Sequence, residues 1–570
     1  MIALLLTWML CAAQQPNIVW ITSEDNGPHL GCYGFEQART PNLDALAARG
    51  MRFENAWSNA PVCAPARTTI ITGMYATSLG AQHMRSRVAL PPGYELFPQL
   101  LRGAGYYCSN RSKTDYNLTG LGQVWDQSNK RAHWRGRRPG QPFFAVFNFT
   151  TTHESATRRQ PHQQVQDPET VELPGYLPDL PEVRQGWAQY YDQMAVMDGQ
   201  VGNILKQLQD DGLADDTIVF YFSDHGPGFP RAKRWPGNSG LHVPMLAYFP
   251  PRYRHLAPAG YSKGGSSKQL VSFVDLAPTV LSLAGVKAPD YYQGHAFAGE
   301  TRGAEAKYLY GFRGRMDERI DMCRSVRDQR YVYIRNYYPR LPHGQHLNYL
   351  FQTPATQAWW RAFEQGKLPD EHRQYWLPRA SEELYDLQAD PAELHNLAAN
   401  EKHADDLKRL RAANHQHMLR IRDLGFLPEA EMHRMANGQA PALIGRDPSR
   451  YPLAQLLQRA GADDAENQDP VFLWGEESQF LSLTIAQAEH QAPAQLLKWA
   501  DPANSSLYFA VQAWNAMQRV DQWTAEQLEH IAQLPTEVDG APKALSNYLP
   551  RLKERFFQTH QAPKGAGNNE

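Results

Sequence analysis

From Pro16 the chain opens with NIVWIT, an apolar, β-branched run ended by the polar string Ser23, Glu24, Asp25, Asn26 and Gly27. This pattern predicts a short buried strand with carboxylates at its carboxyl end. TPNLDALAARG follows, with Thr40 as N-cap, Pro41 at the first helical position and Gly50 as the stop, a complete short helix by its punctuation. The alternation returns downstream. FFAVFNFT (143–150) predicts a strand, VRQGWAQYYDQMAVMDGQVGNILKQLQDDG (183–212) a long amphipathic helix, and TIVFYFSDHG (217–226) a strand ending in polar residues. Together these predict an α/β fold: a large, mainly parallel sheet flanked by helices, which binds ligands at the carboxyl ends of its strands.

After about residue 300 the pattern changes. YLYGFRGR, CRSVRDQRYVYIRNYY and ELYDLQADPAELHNLA read as short strands and turns, followed by a helix around 401–422. Beyond Pro428, segments such as YPLAQLLQRAGADD, AQLLKWADPANSSLYFAVQAWNAMQ and TAEQLEHIAQL read as short amphipathic helices without a fixed repeat. The expected division is a catalytic α/β domain over 16–300, a smaller α+β subdomain over 301–425 and a helical appendage over 430–560. The tail QAPKGAGNNE reads as loose.

Composition narrows the function classes. The chain has 570 residues, 42% hydrophobic and 20% charged, with 57 Lys and Arg against 59 Asp and Glu. Disorder, collagen and coiled coil are excluded, and a net charge of −2 offers no global attraction to nucleic acid or anionic lipid. Recognition of an anion therefore has to come from a local cluster. The five cysteines, Cys11, Cys32, Cys63, Cys108 and Cys323, form no C-x-x-C pair, so neither a zinc site nor a disulfide framework is expected. MIALLLTWMLCAA at the start is too short to span a bilayer and reads as a secretory signal over residues 1–13, cleaved near Ala13. A buried N-terminal strand is the other reading. The first places the protein in the periplasm or outside the cell.

The stretch NAPVCAPARTTIITGMYATSLGAQ (59–82) holds Cys63, Pro65 and Arg67 in the pattern C-x-P-x-R, just before an apolar, helix-compatible run and Thr72, Gly73, Met74 and Tyr75. A lone cysteine is ordinarily a buried structural residue. Its neighbours change that reading, because the stretch resembles the signature of the formylglycine-dependent (type I) sulfatases of the alkaline phosphatase superfamily. NIVWITSEDNG and FYFSDHGPG resemble the family's two metal strands, and AKRWPGNSGLHVPML its active-site lysine segment. FVDLAPTVLSLAGV (273–286) and ELYDLQADPAELHNLA (383–398) resemble two further landmarks. The likeness covers roughly 16–400. GPGFP and RQYWLPRASEELYDLQADPAELHNLA look most like the sulfamidase branch, with its bacterial polysaccharide sulfatase relatives.

The resemblance implies formylglycine made from Cys63 by a maturation enzyme, and one metal ion per chain held by Glu24, Asp25, Cys63, Asp224 and His225. Three carboxylates converging on two strand ends repel one another unless a hard divalent cation sits between them, which favours calcium over magnesium where one carboxylate is a longer Glu. His225 stands where many members carry Asn. Sulfate ester cleavage needs a nucleophile, neutralised non-bridging oxygens and a proton for the leaving alkoxide. The resemblance gives the first to the hydrated aldehyde at 63, which Arg67 holds, and sulfate binding to Lys113 and Lys233. His153 is the candidate general acid. CSNRSKTDYN departs from the family's G-K-W-H, so Asp115 stands in place of a histidine. Either Asp115 contacts the modified residue or substrate, or His153 and His225 share the proton work.

Substrate contacts are expected from GFRGRMDERIDMCRSVRDQR, which carries Arg313, Arg315, Asp317, Glu318 and Arg319, and from the basic loop KRAHWRGRRPG (130–140). An ordinary solvated loop is the alternative for each. The reading at this level is a carbohydrate sulfatase acting on a sulfated polysaccharide or oligosaccharide, with no nucleic-acid partner and no membrane span. Three rivals stand beside it: a sulfamidase acting on N-sulfate, a phosphonate or phosphodiester hydrolase of the same superfamily, and a non-catalytic sugar-binding protein.

Overall fold

The structure, a computed structural model, describes residues 15–460 and 523–535, with isolated positions between 497 and 557. The expected signal MIALLLTWMLCAA with Cys11, most of AQLLKWADPANSSLYFAVQAWNAMQ and the tail QAPKGAGNNE lie outside the described residues.

A large sheet holds β1 (Asn17–Ser23), β2 (Met51–Trp57), β4 (Tyr107–Arg111), β6 (Gln127–Ser128), β7 (Phe143–Phe149), β8 (Thr217–Ser223), β9 (His242–Val243), β10 (Met245–Tyr248) and β11 (Gly265–Ser272). Two-residue strands β3 (Val88–Ala89) and β5 (Leu118–Thr119) pair separately. The order is β11-β2-β10-β8-β1-β7-β4-β6, with β9 against β2. All neighbours along this path are parallel except those of β10. That antiparallel strand was not expected: MLAY is four residues between Pro244 and Phe249, too short a run to reveal its direction.

Alternation along the central strands builds two cores. Ile18 and Trp20, Phe144 and Val146, and Ile218, Phe220 and Phe222 face one side. Val19 and Ile21, Phe143, Ala145 and Phe147, and Val219 and Tyr221 face the other. A sheet buried on both faces reads as a continuous apolar run, as these strands do. The helix Pro181–Asp210 covers the second face, while the helices Cys63–Thr72, Phe97–Gly103 and Leu276–Leu283 cover the first.

The short helix Pro41–Arg49 forms where its punctuation predicts, but Thr40 makes no side-chain cap. The buried carboxylate of Asp198, on the long helix, accepts instead from the backbone N–H of Asn42 at 3.0 Å and of Leu43 at 2.8 Å. A tertiary contact thus satisfies the orphan donors of the first turn.

A second sheet, β12 (Leu309–Arg313), β13 (Cys323–Arg327), β14 (Tyr331–Asn336) and β15 (Glu382–Asp386), is antiparallel throughout. One of its faces packs Val326, Tyr333 and Leu384 under Leu410 and Ala413 of the helix Ala404–Ile421. The other packs Cys323, Val332 and Ile334 against Trp57, Trp235 and Leu241, beside the end of the large sheet. Further helices are Glu429–Ala436, Ala442–Gly445, Leu453–Ala460 and Ala525–Gln533. Met432, Ile444, Tyr451 and Leu456 join the same buried cluster as the helix Cys63–Thr72. Cys32, Cys63, Cys108 and Cys323 are free thiols, and among the described residues no helix is long and apolar enough to cross a membrane.

Candidate active site

Register brings the first two motifs together. β1 and β8 run parallel with Ser23 opposite Ser223, so Glu24-Asp25 and Asp224-His225 leave the sheet side by side. Asp224 N donates to Ser23 O and Asp25 N to Asp224 Oδ1, both at 3.1 Å. On the other flank of β1, β7 sends out the segment 150–154: Thr152 donates its hydroxyl to Glu24 O, and Glu154 N donates to Asp25 Oδ2 at 2.7 Å. Asp25 takes a left-handed backbone, φ 51°, which aspartate tolerates better than most residues.

Ligand atoms of Asp25, Asp224 and His225 lie within 4.8 Å of one another, all buried. His225 Nδ1 stands 3.0 Å from the carbonyl of Gly226, which can only accept, so this nitrogen carries the proton. The other ring nitrogen, Nε2, then faces Asp25 Oδ1 at 3.1 Å, and neither atom has a hydrogen-bond partner. Two acceptors turned toward each other inside the protein are repulsive unless a cation lies between them, so the residues fit a divalent metal. Glu24 is not part of this group. Its carboxylate turns toward Lys113 and toward Arg67 Nη2, 3.6 Å away.

Buried cations ring the cluster. Lys233 Nζ donates to Asp25 Oδ2 at 2.6 Å and stands 3.5 Å from Glu154 Oε1. Burial alone raises the Asp25 carboxyl, but the ammonium of Lys233, the strongest of the opposing charges, helps hold the group well below the usual carboxylate range. Arg67 donates to Asp224 Oδ2 at 3.2 Å and to Asn148 Oδ1 at 2.8 Å. Gly228 brings the loop carrying Lys233 close against Glu154: a Cβ there would lie 2.6 Å from Glu154 Cα.

Cys63 is the first residue of the helix Cys63–Thr72 and is 4% exposed. Burial pushes its thiol well up, Asp115 adds to that, and Lys233 and Lys113 oppose it. Residue 63 is therefore a neutral thiol at neutral pH, a weak nucleophile as it stands. Asp115, also left-handed at φ 51°, contacts this thiol and lies 3.6 Å from Lys113 Nζ.

These groups open into a cavity of about 880 Å³. Cys63, Lys113, Asp115, His153, Lys233 and Arg234 line its inner part. His153 Nδ1 accepts from Ser155 N at 3.3 Å, which leaves the proton of the neutral ring on Nε2. Arg315, Asp317 and Glu318 line the wall. Arg313 does not. It is 2% exposed, 3.1 Å from Asp321 Oδ2, and donates to the carbonyl of Arg234, so it braces the wall from behind. Most of the basic loop 130–140 is also spent elsewhere: Arg135 forms a forked pair with Asp211, Trp134 is buried, and only Lys130 reaches the cavity.

The sequence reading missed three residues. Glu154, buried, forms a forked pair with Arg234 at 2.8 and 2.9 Å, and Arg234 continues to Asp317 at 3.5 Å. Asn148 orients Arg67. The sole signal in the chain was adjacency, since Glu154 follows His153 and Arg234 follows Lys233.

A mainly parallel sheet with a buried carboxylate and imidazole cluster at its strand ends, ringed by lysines and arginines, defines a hydrolase site for an anionic ester. The profile of the family "Sulfatase" matches residues 16–286, and that of "N-sulphoglucosamine sulphohydrolase, C-terminal" matches 230–347. An ulvan-active sulfatase of Formosa agariphila is 37% identical over 485 residues, 76% of this chain and 80% of the relative. Human N-sulphoglucosamine sulphohydrolase is 26% identical over 476 residues, 72% of this chain and 91% of that one. The chain belongs to the sulfatase family, and it is a sulfuric ester hydrolase. Among solved structures, a protein in complex with its substrate D-glucosamine-2-N,6-O-disulfate aligns with TM-score 0.51 and 18% identity, over 72% of this chain and 98% of that one. A phosphonate monoester hydrolase of Silicibacter pomeroyi aligns with TM-score 0.54 and 17% identity, over 73% and 97%. These two share the fold.

Proposed function

We propose that the chain is a carbohydrate sulfatase that hydrolyses sulfate esters of a sulfated polysaccharide or of oligosaccharides derived from it, after Cys63 is converted to formylglycine by a maturation enzyme. One observation carries this reading: Cys63, buried and neutral, sits in the cavity among Lys113, Asp115 and Lys233, beside a metal-fitting cluster. The ulvan-active relative supports a polysaccharide as the source of substrate.

Asp25, Asp224 and His225 would hold the metal, with Glu24 and residue 63 at its margin. A divalent cation there supplies charge neutralisation for sulfate oxygens, and the hydrated aldehyde supplies a nucleophile that thiol 63 lacks. We take the ion to be calcium, one per chain, ahead of magnesium, since calcium accepts a flexible set of oxygen donors. Lys113 and Lys233 bind the non-bridging oxygens, and Arg67, fixed by Asp224 and Asn148, orients residue 63. His153 Nε2 protonates the leaving oxygen. Asp115 accepts a hydrogen bond from residue 63 and orients it in the place of the missing histidine. The polar wall of Asp317 and Glu318 accepts sugar hydroxyls. Tyr349, one face covered by Arg158 at 4.6 Å, offers a ring to the sugar.

A periplasmic or secreted location and the division 16–300, 301–425 and 430–560 belong to the same reading. N-sulfate is the second substrate class, favoured by the match of 230–347 to the sulphohydrolase profile. The test is mass analysis of the tryptic peptide 53–67 from protein made with a maturation enzyme, together with paired sulfate-ester and phosphonate-ester assays. Exchange of sulfur for oxygen with loss of two hydrogens makes the peptide about 18 Da lighter. Unconverted Cys63 in protein that still hydrolyses the ester, or preference for phosphonate, overturns the proposal.

A further inference from the structure

Six Lys and Arg side chains line the cavity together with the carboxylates of Asp115, Glu154, Asp317 and Glu318, and four of the six are spent on buried partners. Lys113 is paired with Glu24, Lys233 with Asp25, Arg234 with Glu154, and Arg315 with Glu429. Two lining cations remain outside this pairing. Arg85 is 69% exposed, and its nearest carboxylate, Asp317, is 4.0 Å away and already 3.5 Å from Arg234. Lys130 is exposed and has no ion pair or hydrogen bond among the described residues.

Arg85 is also held in place by its backbone. It adopts φ 59°, a left-handed conformation that a long side chain disfavours and that persists only where neighbours enforce it. They do so here. Met84 N donates to Arg315 O at 2.9 Å, Arg315 Nη2 donates back to Met84 O at 3.1 Å, and Ser86 N closes a turn on His83 O at 3.1 Å. Arg85 lines the same cavity as Asp115 and Cys63. A fixed backbone therefore carries an exposed guanidinium into the lining of the cavity that also holds Cys63.

We infer that Arg85, with Lys130, forms a second anion subsite that reads a carboxylate or a further sulfate on the saccharide beside the ester that is cleaved. The inference rests on the carbohydrate sulfatase reading and deepens it, restricting substrate to saccharides with at least two negative groups. Arg315 is a positioning residue for this subsite, since it is tied to Glu429, to Met84 and to Asp317 O.

The test is calorimetric binding to the full chain carrying Cys63→Ala, which removes turnover. The probes are sulfated, uronate-containing oligosaccharides prepared from ulvan and from heparin, in native, carboxyl-reduced and singly sulfated forms. Arg85→Ala should raise Kd for the native probes about tenfold, the scale of one charge-assisted contact. Arg85→Lys should recover part of that loss, and Lys130→Ala should give a smaller loss that fades at high salt. An effect lost on carboxyl reduction assigns the anion to uronate, and one lost on removal of the second sulfate assigns it to sulfate; either supports the subsite. Equal binding of all three forms, binding of none, or the same loss with every form overturns it. Sulfate release by the matured wild type keeps the two claims apart. Release with no Arg85-dependent binding removes the subsite alone, and Arg85-dependent binding without release from any probe removes the sulfatase reading alone.

Discussion

Lys233 places its Nζ 2.6 Å from Oδ2 of Asp25, with both side chains sealed from solvent. Glu154 N donates to the same oxygen, while Oδ1 of Asp25 has no hydrogen-bond partner. In the metal-free chain Lys233 is then the principal charge that compensates Asp25. Lys233→Met should cost metal-free protein about 3 kcal/mol or more, since it leaves a buried carboxylate uncompensated. Added calcium should recover a good part of this. Denaturant unfolding with and without calcium checks it, and an identical loss in both conditions would count against the assigned metal site.

Glu154 and Arg234 form the other buried pair on the wall. Glu154→Gln leaves Arg234 half-partnered and loosens Lys233, so stability should fall by about 3 kcal/mol and sulfate release by about a hundredfold. Arg234→Met paired with Glu154→Gln should restore most of the stability without the activity. Equal stability of the single and double variants would contradict this coupling.

Gly228→Ala tests the close approach of the lysine loop. The added methyl meets Glu154 Cα and Cβ at 2.6 and 2.5 Å, backbone included, so the loop has to move away from Asp25. The expected result is a folded protein with kcat lowered more than tenfold, seen as sulfate release beside an unchanged circular dichroism spectrum. Wild-type kcat would mean that the loop relaxes freely.

Stability should fall in mild acid. Burial pushes His29 and His242 down to about 3. The unfolded chain takes up these protons near pH 6.5, before the native state does, so each contribution is complete above pH 6.5 and is lost as pH falls toward 3. Each histidine costs about 1.4 kcal/mol per pH unit over that window. His29→Phe should flatten the slope by one such increment, even though it gives up the 3.2 Å contact with Tyr190. Unfolding series from pH 7 to pH 4.5 measure it.

Much of the site could be read from the chain because it lies where strands end. The runs at 18–21, 143–147 and 218–222 are each unbroken apolar stretches, and polar residues beyond their ends had to converge once the strands paired in parallel. What escaped depends on partners far along the chain. Glu154 and Arg234 are 80 positions apart, and neither type of residue announces a buried pair. Asp198 caps a helix 155 residues before it, where local punctuation pointed to Thr40. Arg313 and Arg315 look alike in sequence, yet strand β12 turns Arg313 toward Asp321 while Arg315 leaves the strand and reaches the cavity. Glu24, read as a metal ligand from its place beside Asp25, also meets Lys113 and Arg67, contacts that chain order does not announce.

The most direct measurement is sulfate release from a panel of defined sulfated oligosaccharides by matured protein, with Cys63→Ala and calcium-chelated protein in parallel. The account predicts release from at least one carbohydrate, lost in Cys63→Ala and on chelation, and restored by added calcium. Release that survives in Cys63→Ala, or no release from any carbohydrate by protein with verified formylglycine at 63, would contradict it.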